Sequence, residues 1–70
     1  MKKYAMKSIS EDGVFYLVNG WDRYKSFWEK DISDYTLFKR RQDCQASLTK
    51  LLKVMPEYGT DKFEIVEVEI

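Results

Sequence analysis

The chain has no histidine, a single cysteine, a single proline and three glycines among its 70 residues. Without histidine, the usual general base beside a serine or cysteine nucleophile is missing. A single cysteine excludes an intramolecular disulfide, and one thiol with scattered carboxylates gives no metal-ligand spacing. Three glycines include no phosphate-cradling motif. Net charge is also missing: twelve Lys and Arg offset twelve Asp and Glu. That balance argues against a strongly cationic nucleic-acid binder and against a polyanionic DNA mimic. No apolar run approaches the roughly 18 residues of a membrane span. The opening MKKYAMK resembles the charged start of a signal peptide, but Lys7, Ser8, Ser10, Glu11 and Asp12 interrupt any apolar continuation. An unpaired cysteine fits a reducing compartment, so a cytoplasmic location is expected. No enzyme activity, cofactor, metal or membrane contact is expected.

Apolar and aromatic residues are plentiful, at 44% and 16%. That suffices for a packed core and argues against disorder. A chain this short buries only about 60% of the surface it exposes when unfolded, so a single domain over residues 1–70 is expected. Residues 3–9 alternate, with Tyr4 and Met6 on one side and Lys3, Ala5 and Lys7 on the other, which predicts a strand with one wet face. Glu11-Asp12-Gly13 is a turn signal. The run Val14-Phe15-Tyr16-Leu17-Val18 then predicts a central strand covered on both faces.

Asn19-Gly20 between apolar runs predicts a type I′ hairpin, with Val18 opposite Trp21 and Phe15 facing Tyr24. An alternative stays open, because Trp21, Tyr24 and Trp28 also fall at helical spacing. Ser26 to Trp28 reads as strand-like, and a further short strand is expected at residues 35–38. Cys44, Leu48, Leu51, Leu52 and Met55 form one apolar stripe, and Pro56 ends the helix that carries it. The last stretch, FEIVEVEI, is a strand in which Phe63 and Ile65 share the glutamate parity. That clash predicts either a bulge or a strand end covered on both faces. Lysines on the wet face of the first strand and glutamates on the last place the two side by side. The expected fold class is α+β: an antiparallel meander, one helix on one face and a C-terminal strand, β-β-β-α-β.

Two features suggest binding. Trp21, Tyr24, Phe27 and Trp28 put four aromatics into eight positions. Aromatics are enriched at interface hot spots, and Trp21 and Tyr24 are the expected partner contacts. Lys39-Arg40-Arg41 falls at the helix start, where cations oppose the helix dipole and no Ser, Thr, Asp or Asn caps the turn. With Lys50, these residues form a candidate site for an acidic protein patch or for phosphate. Cys44 lies on the apolar stripe and reads as a small buried hydrophobe. Asp31 and Asp34 read as a solvated loop.

Tyr4, Gly13-Val14-Phe15-Tyr16, Trp28, Asp31-Ile32, Leu37-Phe38, Ala46, Leu48 and Leu51, with the acidic closing strand, give the chain a wider resemblance. In that layout it resembles small β-β-β-α-β proteins encoded by phages and prophages of Gram-positive bacteria. Tyr35 departs from the pattern, where alanine is usual, and so does Lys-Arg-Arg, where a Ser/Thr cap and acidic turn are usual. The resemblance implies accessory factors or inhibitors of host defence, anti-CRISPR proteins among them, whose partner is a larger host protein. A nucleic-acid accessory role is the alternative expectation.

Overall fold

A computed structural model of the chain describes residues 1–21 and 27–70. Alternating residues in the first ten positions form β1 (Lys2–Ser10), which turns through Glu11-Asp12 into β2 (Gly13–Leu17). The two pair antiparallel from Ser10↔Gly13 to Lys7↔Tyr16. Gly13 has φ +126°, a conformation that an L side chain rarely adopts. A Cβ there would meet only the Phe15 ring, at 3.9 Å, so the backbone and not the space demands glycine.

Asn19-Gly20 does not make the expected tight hairpin. Gly20 has φ +80°, but no described non-glycine residue has positive φ, so Asn19 cannot occupy a type I′ turn. Its groups are engaged elsewhere: the Asn19 N–H donates to the Tyr35 carbonyl at 2.6 Å, and its side-chain amide donates to the Leu37 carbonyl at 3.0 Å. Side-chain amides that bond backbone in this way compete with regular turns. The Val18 N–H donates to the Phe27 carbonyl at 2.8 Å instead of pairing with Trp21. The strand on that side, β3, is only Trp28–Glu29, opposite Leu17 and Tyr16. The expected Phe15–Tyr24 pairing and the Ser26 end of the strand lie outside the described residues.

The strand expected at residues 35–38 contracts to a single bridge, Tyr4↔Phe38. Hydroxyls take over the backbone groups just before it. The Ser33 N–H donates to Thr36 Oγ1 at 2.8 Å, and that hydroxyl donates back to the Ser33 carbonyl at 3.1 Å. Such local bonds satisfy the chain without a ladder.

β4 (Lys62–Glu69) completes a sheet of order β3-β2-β1-β4, and every pair in it is antiparallel. Its register with β1 runs unbroken from Lys2↔Glu69 to Ile9↔Lys62, so no bulge is present. Phe63 and Ile65 share the helix-side face with Ser8 and Met6. Glu67 and Glu69 continue on that same face, exposed, near the start of β1. There Lys2 Nζ lies 3.3 Å from Glu67, and the N-terminal amine lies 3.6 Å from Glu69. One sheet face thus changes from apolar to charged along its length, which accounts for the mixed parity. First and last strands are neighbours as expected, but these ion pairs use Lys2 and the N-terminal amine on the helix-side face; of the wet-face lysines, Lys3 lies opposite Val68 and Lys7 opposite Glu64.

The helix α1 (Arg41–Val54) buries Cys44, Leu48 and Leu51 against the sheet. These pack with Met6, Leu17 and Phe38, and the flanks are filled by Tyr4, Trp21, Phe27, Trp28 and Phe63. Each fully buried large side chain contributes roughly 1.5–3 kcal/mol. The Met55 N–H closes the last turn on the Leu51 carbonyl at 2.7 Å, and Pro56 opens a 3₁₀ turn, Pro56–Thr60. On the outward face of the sheet Ala5 of β1 is fully buried, but β2 is not. Val14 is 41% exposed there and Tyr16 is half-buried, so β2 is covered on one face and not on both.

Candidate functional site

The basic cluster sits where the helix begins. Arg40 is the N-cap residue, with extended backbone (φ −132°, ψ 149°) and no side-chain cap bond. Its guanidinium forks onto Asp43 instead, Nε to Oδ2 at 3.2 Å and Nη2 to Oδ1 at 3.1 Å. A bidentate pair of this kind fixes the orientation of the arginine. Arg41 turns towards β1, where its guanidinium lies over the Tyr4 ring, 5.3 Å from the centroid. Lys39 is exposed and lines a shallow cleft of about 350 Å³ together with Asn19, Phe38, Asp43, Ala46 and Ser47.

Trp21 closes onto the same side of the helix. It is half-buried, meets Phe27 edge to face at 5.3 Å and 74°, and donates its indole N–H to Ser47 Oγ at 3.1 Å. Lys50 Nζ lies 5.6 Å from the Trp21 ring centroid, a cation–π arrangement. Of the residues singled out in the sequence, Lys39 lines this cleft, Arg40 and Trp21 are bonded to two of its lining residues, Asp43 and Ser47, and Lys50 reaches only the Trp21 ring. Arg41 is held apart by Tyr4, and Tyr24 lies outside the described residues.

Cys44 is fully buried, and burial, with the Asp43 charge adding to it, pushes its thiol up to about 11. A thiol so protonated is a poor nucleophile. Asp31 and Asp34 are exposed in the loop ahead of Phe38. Among the described residues, no three His, Cys, Asp or Glu side chains come together as a metal group would need. No described helix is long and apolar enough to cross a membrane.

A second concavity, of about 300 Å³, lies at the other end of β1, and the sequence reading missed it. Phe15, Trp28 and Tyr58 line it, with Asp12, Glu57 and Asp61. Asp61 accepts a hydrogen bond from the Ser8 hydroxyl at 3.3 Å. Residues 11–13 and 57–61 read separately as two polar connections. They meet because Ile9 pairs with both Val14 and Lys62. The signal was the acid in both connections together with Tyr58, and it becomes visible only once the strand order is known.

Compared with protein-family models, with curated proteins and with solved structures, the chain has no significant match.

Proposed function

We propose that the chain is a non-catalytic binding protein that captures a larger protein through the border of the helix-start cleft. The observation carrying this reading is that exposed Lys39 lines the cleft while half-buried Trp21, with Lys50 over its ring, is bonded to the cleft residue Ser47. An aromatic anchor with cations beside it suits an interface facing an acidic patch. A standard interface of about 800 Å² per partner extends well beyond the cleft itself. The resemblance to small phage-encoded proteins supports a host-defence protein as the partner, inhibited by occlusion of its surface in the manner of anti-CRISPR proteins. The alternative, a nucleic-acid accessory role, draws on the uncapped basic helix start, but Asp43 in the cleft works against phosphate.

The test is capture of one specific protein from a Gram-positive host lysate. It compares wild type with a Lys39→Glu/Lys50→Glu variant and with a Lys3→Glu/Lys7→Glu control of equal charge on the outward sheet face. The cleft variant should weaken capture about tenfold or more, equivalent to about 1.4 kcal/mol, while the control retains it. Equal capture by all three would overturn the assignment. A bound nucleic acid released steeply between low and moderate salt would favour the alternative.

A further inference from the structure

The concavity at the far end of β1 combines two features. Its walls are aromatic: Trp28 and Tyr58 stand at 77° to one another with centroids 5.6 Å apart, and Phe15 adds a third ring. Its rim is acidic, with Asp12 and Glu57 exposed and Asp61 half-buried. Among the described residues no ion pair reaches any of these three carboxylates. Lys62, on the outward face of β4, borders the adjoining hollow together with Asp12 and Asp61 but forms no ion pair with either.

Each half of that combination narrows the ligand. Unneutralised carboxylates around a concave site focus negative potential and select a cation. Aromatic walls do not suit a hard metal ion, which takes several oxygen ligands, whereas the ring surfaces that line the concavity suit a soft cation. A methylated ammonium satisfies both requirements, because it keeps its full charge while its methyl groups are apolar enough to leave water. A volume of about 300 Å³ has room for such a headgroup.

We propose that this concavity is a binding site for a trimethylammonium group, held by Trp28, Tyr58 and Phe15 and selected by Asp12, Glu57 and Asp61. The group can arrive on a small molecule such as choline or on a trimethylated lysine of a partner protein. The site lies at the other end of β1 from the helix-start cleft, so it stands or falls independently of that reading.

Titration followed by nuclear magnetic resonance tests it on the full chain. Choline should shift the indole N–H resonance of Trp28 saturably and leave that of Trp21 in place. Its neutral carbon isostere, 3,3-dimethylbutan-1-ol, should bind about tenfold more weakly, a difference of about 1.4 kcal/mol. An Asp12→Asn/Glu57→Gln variant alters two exposed side chains and should keep the wild-type spectrum elsewhere while losing most of the preference for the cation. A Tyr58→Leu variant should weaken choline binding with the rim intact. A peptide carrying trimethyllysine separates the sources: binding tighter than choline assigns the site to a partner's side chain, and weaker binding assigns it to a small molecule. Equal binding of choline and its isostere, or no response at Trp28, would overturn the proposal.

Discussion

The indole N–H of Trp21 reaches Ser47 Oγ at 3.1 Å, fastening the segment that follows β2 to the middle of α1. This bond joins positions 26 apart in sequence and holds the aromatic ring where Lys50 can lie over it. Ser47→Ala should therefore cost about 1 kcal/mol, the usual net worth of one such bond. In a domain of this length that corresponds to a drop of about 4–8 °C in Tm. Trp21→Phe keeps a ring but loses the same donor, so the double variant should be less destabilised than the sum of the two single changes. Thermal melts of the four proteins supply the cycle, and strict additivity would show that the bond contributes nothing.

Cys44 makes a prediction about pH. Its thiol is raised from 9.0 to about 11, chiefly by burial. Between those values the unfolded chain has released its proton and the folded chain has kept it. The unfolded state then binds fewer protons, and stability falls as pH rises. The contribution is complete below pH 9 and is lost as pH climbs through about 11. Lysines and tyrosines titrate in the same range, so the informative quantity is the difference between wild type and Cys44→Ala in urea midpoints measured from pH 8 upward. The gap between the two proteins should narrow with rising pH. Alkylation by iodoacetamide at pH 8 should likewise be slow in the native protein and fast in urea, and rapid native labelling would contradict the burial.

Much of this architecture could be read in the sequence because local chemistry and tertiary packing agree. Alternation marked β1, the Cys44–Leu48–Leu51 stripe marked α1, Pro56 ended it, and lysines set against glutamates put β4 beside β1. Errors arose where side chains compete for the backbone. Asn19 spends its amide on Leu37 and has no positive φ, so its turn with Gly20 is not of type I′, and the Thr36 hydroxyl bonds both backbone groups of Ser33 ahead of Phe38. The uncovered outward face of β2 was hidden for a different reason. A five-residue apolar run looks the same whether one or both faces are packed. Within the candidate site, the exposure of Lys39, Arg40 and Lys50 followed from their place on or beside the helix. The Trp21–Ser47 bond, and the meeting of Asp12 with Asp61, depend on contacts between segments distant in sequence, which periodicity does not encode.

Arg40 occupies a position that a different residue would fill better if stability alone mattered. It is the N-cap of α1, has the extended backbone that a capping residue adopts, and supplies no cap. Serine there would accept a first-turn N–H and is worth about 1 kcal/mol over a non-capping residue. Asp43, three residues on, would complete the spacing of a capping box and would place its charge favourably at the helix N-terminus. The loss to set against this is the exposed Arg40–Asp43 pair, and such pairs contribute at most about 1 kcal/mol and often nothing measurable. Arg40→Ser is therefore expected to leave Tm unchanged or raise it by a few degrees. If the cleft border grips an acidic partner, the same substitution should weaken capture severalfold, separating stability from binding in one variant. A lower Tm with undiminished capture would mean that the arginine is there to brace the helix start, and the cation at this position would have no part in recognition.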